Sequence, residues 1–255
     1  MVHLGQVMAD DAVTKGHSDF VSAADLAAQE QALTVIRDRH PDHAILAEEM
    51  ALAEREDLVG RGGPVWVVDP LDGTTNFLHG HPMFASSVAL TVDGVFVVGA
   101  VSQATTEERW WASAGEGAWW QGRRGQGRRG ERRLAVTPAG SLERTLIGTG
   151  FPFKALDLLP EYLTQFDRVL RGSSGVRRTG AAALDLCYVA SGRLDAFWEL
   201  ALSPWDFAAG VVIAREAGGI VERVEGGPLT LDAGSVAAAS SAELLEALRA
   251  TIESV

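Results

Sequence analysis

WVVDPLDGTTNF, residues 66–77, is the stretch on which the reading of this chain turns. Val65 to Val68 is a short apolar run of strand-forming residues, and Asp69-Pro70 stops it. Asp69 and Asp72 then stand three residues apart on a turn in which Pro70 fixes one backbone angle and Gly73 tolerates a conformation that side chains resist. Either aspartate alone is an ordinary turn residue. The run as a whole sets a series of polar groups against a core strand, so both carboxylates can point to one place. Hard oxygen ligands of this kind suit Mg2+, and two can serve a pair of ions roughly 4 Å apart. If Thr74 starts a helix, the amides from Gly73 to Thr75 face outward and can meet phosphate oxygens.

Other acids flank this turn from distant parts of the chain. Ala44 to Leu46 is a short strand running into Glu48 and Glu49, which point to opposite faces in extended chain. One can face a metal while the other meets solvent or supports its neighbour. Asp206 falls in the first turn of a helix opened by Ser203-Pro204, where its charge is favoured by unpaired amides and could serve as a stabiliser alone. Residues 23 to 39 read as a helix with Leu26, Leu33 and Ile36 on its apolar stripe, and Ser22-x-x-Asp25 is a capping pair.

The remaining pattern is mixed α/β without a regular repeat. Ser86 to Leu90 and Val95 to Val101 form a hairpin around Asp93-Gly94, and Trp110 to Ala112 and Gly117 to Trp120 continue it. Trp110, Trp111, Trp119 and Trp120 are buried sheet positions or an interface. Residues 121–133, QGRRGQGRRGERR, hold six arginines and four glycines and read as a solvated loop between two halves, 1–133 and 134–255. The second half carries strands near 146–148, 195–199, 220–224 and 236–239, and helices near 156–170, 181–190, 203–217 and 242–252.

The totals fit this picture. A chain of 255 residues with 47% apolar content can bury one large core or two joined ones. A net charge of -12 argues against broad attraction to nucleic acid or an anionic membrane. Phosphate binding stays open, because bound cations and local amides reverse the field within a site. Cys187, the single cysteine, sits in apolar ALDLCYVA and reads as a buried structural thiol. The start MVHLGQVMADDAV has no basic segment leading into an apolar run, and nothing approaches the roughly 20 apolar residues of a membrane span. A cytoplasmic location is expected.

The chain resembles the inositol monophosphatase family, within the magnesium-dependent, lithium-sensitive phosphatases that include fructose-1,6-bisphosphatase. The resemblance is carried by WVVDPLDGTTNFLHG (66–80) and WDFAAGVVIAREAGG (205–219), with support from KGHSDFVSAAD (15–25), HPDHAILAEE (40–49) and GTGFPF (148–153). It implies a layered α/β/α/β/α sandwich, a dimer, and hydrolysis of a phosphate monoester by metal-activated water with two or three Mg2+ ions, Mn2+ being a possible substitute. By motif, Glu48 resembles the metal-binding glutamate and Glu49 its neighbouring acid. Asp69 would bridge two ions, the Leu71 carbonyl would hold the first, and Asp72 and Asp206 would hold the second beside the substrate. Thr74 with Asp25 would orient the water, and the Gly73 and Thr74 amides would hold phosphate. Lys15 and Asp19 resemble mobile-loop residues that close on a third metal position. Glu199 would accept a substrate hydroxyl, with Gly180, Ala181 and Ala182 on the wall beside it.

Two departures stand out. Only 14 residues precede Lys15, so packing around it is expected to differ from the family's. Position 181 is alanine where many members have threonine, which removes a hydroxyl contact. The implied substrate is myo-inositol 1-phosphate or a related small polyol phosphate, with histidinol phosphate and fructose 1,6-bisphosphate as rivals. Outside enzymology, the arginines of 121–133 offer a contact for RNA or a protein partner. The absence of aromatic interleaving within that run weighs against nucleic acid.

Overall fold

The structure is a computed structural model and describes residues 13–16, 19–51, 55, 58, 60–124, 128–137 and 139–253. Strands β1 (Val13–Gly16) and β2 (Asp19–Val21) form a small antiparallel hairpin. Helix α1 (Ala23–Arg39) follows, capped by Ser22 and ended at His40. A seven-stranded sheet is then laid down in chain order, with β3 (Ala44–Ala47) at one edge beside β4 (Pro64–Asp72). Helix α2 (Thr74–Leu78) interrupts the sequence before β5 (Ala85–Val92), β6 (Val95–Gln103), β7 (Glu108–Ser113), β8 (Gly117–Arg124) and β9 (Arg128–Arg133). The β3–β4 pairing is parallel and all later pairings are antiparallel.

The second sheet has β10 (Leu146–Thr149), β11 (Gly175–Arg177), β12 (Ala196–Leu200), β13 (Ile220–Glu222) and β14 (Ser235–Ala239) in the order β11-β10-β12-β14-β13. Between the sheets lie α4 (Ala182–Ala190) and α5 (Pro204–Glu216), buried along nearly their whole length. Helices α3 (Leu159–Gly172) and α6 (Ala242–Glu253) cover the far side of the second sheet, and α1 covers the far side of the first. The order of layers is therefore α/β/α/β/α, the sandwich that the family resemblance implied. Among the described residues no helix is long and apolar enough to cross a membrane.

Local chemistry explains most of these elements and corrects three expectations. Asp93 and Gly94 both take positive φ at the β5–β6 turn, as a two-residue hairpin requires. Alternation on β7 and β8 pairs Trp110 with Trp120 on the buried face and Trp111 with Trp119 on the other. Cys187 is buried, as its apolar setting predicts.

The first correction concerns β4, which does not stop at Asp69-Pro70. It runs on to Asp72, because the register slips between Asp69 and Asp72 and the resulting bulge takes Pro70, which has no amide to donate. The second is Leu26, which is 54% exposed, while Asp25 takes the inward position on α1. The third is the arginine-rich run. Residues 121–124 and 128–133 are paired strands of β8 and β9 and not a loop, from Trp119–Arg133 outward to Arg124–Arg128, although Arg123 and Arg129 are solvent-exposed as expected. Three of its arginines have partners that composition does not show: Arg123 and Arg129 both pair with Glu107, and Arg132 lies over the Trp120 ring.

Candidate functional site

A cavity of about 270 Å³ opens where the bulged end of β4, the start of α5 and the first turn of α4 meet. Its wall includes Glu48, Asp69, Leu71, Asp72, Gly73, Thr74, Gly180, Ala182, Glu199 and Asp206, drawn from sequence positions more than 150 apart. The bulge is what aims the first two aspartates. Asp69 Oδ1 accepts the Leu71 amide at 2.9 Å, and Asp72 Oδ2 accepts the Ala183 amide in the first turn of α4 at 2.9 Å. Asp206 closes a capping box, its Oδ2 accepting the Ser203 amide at 2.7 Å. One oxygen of each carboxylate is thus held by backbone, which fixes the direction of the other.

Electrostatics decide what this cluster can hold. Burial pushes the pKa of Asp69 well above the ordinary carboxylate range, and the charges of Glu48, Asp72 and Asp206 push it further, against the Leu71 amide. Burial also raises Asp72, reinforced by Asp206 and opposed by the Ala183 amide, with Asp185 and Glu48 adding to the rise. Acids that disfavour one another's charge in a buried site are stabilised by a hard multivalent cation among them. Among the described residues no three acidic side chains already converge in a finished coordination shell. The residues fit Mg2+ through their shared field and oxygen chemistry.

Thr74 and Asp25 come together as the family resemblance implied. The Thr74 hydroxyl lies 3.0 Å from Asp25 Oδ1 and 3.1 Å from the Leu71 carbonyl, and can donate to one at a time. Asp25 is fully buried, and its Oδ2 accepts both the amide and the hydroxyl of Ser22. Capping α1 and contacting Thr74 are therefore simultaneous uses of one carboxylate.

Glu199 stands on β12 against Gly150, where a Cβ would overlap its carboxylate. Its pKa is raised well above the ordinary range by burial of the carboxyl, then by Asp185, Asp206 and Asp72, against Arg178. Gly150→Ala is expected to displace this side chain and to raise KM more than it lowers kcat. Steady-state kinetics with a polyol phosphate check this, and unchanged KM would remove Glu199 from the substrate wall.

Two expected site residues lie off the cavity. Glu49 is not in the wall; its amide donates to Gln29 Oε1 at 2.9 Å, on the side of the chain turned toward α1. Ala181, just before α4, has an extended backbone that turns its Cβ into the core, so no threonine-like contact would arise there without repacking. Lys15 lies on β1 and Asp19 on β2, in a hairpin and not an irregular loop, and their side chains fall outside what the structure describes.

Other residues of the site escaped the sequence reading. Arg55 donates to the Glu48 carbonyl and lies over the Trp205 ring at 4.8 Å, tying the Glu48 turn to α5. Asn76 Nδ2 lies 2.6 Å from the Met83 carbonyl and 2.9 Å from that of Thr179, joining the β4–α2 turn to the wall before α4. Asp185, pushed up to about 8 by burial, accepts the Thr179 hydroxyl at 2.8 Å behind that wall. Phe151, Phe153, Lys154 and Arg178 line the mouth. Asn76, Phe151 and Phe153 sat inside quoted motifs, but nothing in their spacing marks them as a clamp or a lip.

Comparison with known proteins agrees with this geometry. A profile described as the inositol monophosphatase family matches residues 3–255. The chain is 42% identical to an inositol-1-monophosphatase from Mesorhizobium japonicum, over 92% of this chain and 83% of that one. It is 42% identical to a protein named Nus factor SuhB from Pseudomonas aeruginosa, over 94% and 84%. Among solved structures, extragenic suppressor protein suhB from Bartonella henselae superposes with a TM-score of 0.83 at 37% identity, covering 95% of this chain and 88% of that one. An IMPase from Thermotoga maritima gives 0.82 at 30% identity, covering 99% and 92%. The chain belongs to the inositol monophosphatase family and, with it, to the metal-dependent phosphomonoesterases that work with Mg2+.

Proposed function

We propose that this enzyme hydrolyses the phosphate monoesters of small polyols, with myo-inositol 1-phosphate as substrate. The observation that carries the reading is the placement of Glu199, a carboxyl in the same cavity as Asp72 and Asp206, where it can accept an alcohol hydroxyl. Glu48, Asp69, Asp72, Asp206 and the Leu71 carbonyl would hold two or three Mg2+ ions, or Mn2+ in their place. Such ions neutralise the phosphate and lower the pKa of an attacking water.

The chain's own groups do the rest. Donating its proton in a hydrogen bond to Asp25 Oδ1, the Thr74 hydroxyl has lone pairs to accept from the attacking water. As that water adds to phosphorus, its proton passes to Thr74 Oγ1 while the threonine's proton moves to Asp25 Oδ1. The Gly73 and Thr74 amides open α2 in the cavity wall and face the phosphate oxygens. Glu199, Gly180 and Ala182 orient the alcohol, which leaves as an alkoxide and takes a proton from solvent.

Phosphate release from myo-inositol 1-phosphate, histidinol phosphate, fructose 1,6-bisphosphate and adenosine 3',5'-bisphosphate tests the choice. Myo-inositol 1-phosphate is expected to give the highest kcat/KM, with activity lost in EDTA and restored by Mg2+. A tenfold preference for histidinol phosphate would overturn the polyol reading. The name Nus factor belongs to the relatives that bear it. With Arg123 and Arg129 paired to Glu107 before β7 and Arg132 over the Trp120 ring, the enzymatic reading is the one the residues favour.

A further inference from the structure

Asn76 stands in the cavity wall on α2, two residues beyond Thr74, and none of the chemical steps above uses it. Its backbone is fixed, since its carbonyl accepts the His81 amide at 2.8 Å. Its side-chain Nδ2 meets three carbonyls, those of Met83 at 2.6 Å, Thr179 at 2.9 Å and Gly180 at 3.4 Å. A primary amide carries two hydrogens on one nitrogen, so it serves converging acceptors that a hydroxyl serves one at a time and a carboxylate repels. The acceptors are anchored in turn. Pro82, next to Met83, has its carbonyl held by Gln103, a side chain 1% exposed, and by Thr105. Thr179 is held from behind by the buried Asp185, whose Oδ2 accepts its hydroxyl and whose Oδ1 has no hydrogen-bond partner among the described residues.

The two bodies joined in this way face different parts of a phosphate ester. On one side the Gly73 and Thr74 amides open toward phosphate, and on the other Gly180 and Ala182 share the wall with Glu199, the carboxyl that takes the alcohol in the reading above. The bond from Asn76 to Thr179 spans 103 residues of sequence. Among the described residues one further hydrogen bond crosses the seam between residues 70–80 and 178–184, from the Ala183 amide to Asp72. Asp72 also has a cation to hold, so Asn76 is the crossing side chain with no task in the chemistry.

We propose that Asn76 is a positioning residue that keeps the phosphate-binding turn and the alcohol-facing wall in register, and so decides how well a polyol ester is cleaved. This deepens the polyol reading above and rests on it. An ester whose alcohol must be oriented needs both walls in place, because a misplacement of roughly 1 Å costs on the order of 100-fold in rate. An aryl ester, whose phenolate is stable as it departs, needs the phosphate turn and the cation but little from the other wall. The ratio of kcat/KM for myo-inositol 1-phosphate to that for 4-nitrophenyl phosphate therefore reads the register. A loss of folded protein lowers both values by one factor and leaves the ratio untouched.

In Mg2+, Asn76→Ala is expected to lower kcat/KM for myo-inositol 1-phosphate by about 100-fold and that for 4-nitrophenyl phosphate by about threefold at most. Asn76→Ser keeps one donor for one carbonyl and should lower the ratio by about 10-fold, which carries the test if the alanine variant does not fold. An unchanged ratio overturns the proposal, whether both values stay at wild type or fall together, because Asn76 then supports the fold or the phosphate turn alone. Wild-type enzyme that cleaves the aryl ester and no polyol phosphate defeats the polyol reading and, with it, this proposal.

Discussion

Asp69→Asn is expected to lower turnover by on the order of 10³-fold at saturating Mg2+ while the protein folds normally. Asp69 is 1% exposed at the bulge of β4 and feels the charges of Glu48, Asp72 and Asp206 together. An amide keeps its shape and can still accept the Leu71 amide, but it cannot share charge with a cation. The same substitution should raise the melting temperature of the protein in EDTA. Because the folded-state pKa of Asp69 lies above its ordinary value of 3.8, the folded state binds more protons than the unfolded one between those two pKa values. In metal-free protein, stability therefore falls as pH rises through that interval, and Asn removes this contribution. Each kcal/mol of repulsion relieved should appear as roughly 2–4 °C. Near-normal turnover of Asp69→Asn in saturating Mg2+ would sink the metal assignment. A melting temperature in EDTA that climbs steadily from pH 4 to 8 would show that the acids do not oppose one another.

Gly73→Ala is expected to damage both stability and catalysis. Gly73 has φ of +88°, and an added Cβ would stand 2.9 Å from the Met83 carbonyl oxygen and 3.3 Å from that of Gly180. The backbone conformation costs about 1–3 kcal/mol for a residue with a side chain. Overpacking against main chain that cannot swing aside adds about 1–3 kcal/mol. Together these predict a fall of roughly 5–20 °C in melting temperature. The displaced carbonyl region of Met83 and Gly180 is the one that Asn76 fastens, so the turn bearing Thr74 should shift and kcat should drop at least tenfold. Calorimetry and steady-state kinetics on the same sample check both parts. A melting point within 2 °C of wild type would mean that the turn adapts freely.

How much of this was legible in the residues depended on the range of the interaction involved. The β5–β6 hairpin, the α1 cap and the Pro204 helix were readable because turn and cap chemistry acts within a few residues. The strand stop at Asp69-Pro70 was misread, since a bulge depends on the partner strand, and Ser87 and Ala85 are not visible from β4 alone. The arginine-rich run was misread for a related reason. Glycine and arginine in QGRRGQGRRGERR signal exposure, but Glu107 and Trp120 supply the hairpin with local partners. In the site, Asp69 and Asp72 followed from their spacing, and the pairing of Thr74 with Asp25 from the resemblance. Glu48, Asp206 and Glu199 needed the family resemblance, because no local rule brings residues 48, 72, 199 and 206 to one cavity. The use of Asn76 escaped both routes, as its three acceptors are reached only through the fold.

The burial of α5 between the two sheets sets a timetable for the nascent chain. Glu48, Asp69 and Asp72 are made within the first third of synthesis, and the strands at which they lie pair with near neighbours in sequence. Asp206 arrives some 130 residues later on a helix that must dock onto the same sheet to bring its carboxylate to the others. A partly made chain consequently carries only part of the acidic cluster. The full set of acids comes together only once the central helix layer has closed, so the last-made half of the chain completes a cluster begun by the first.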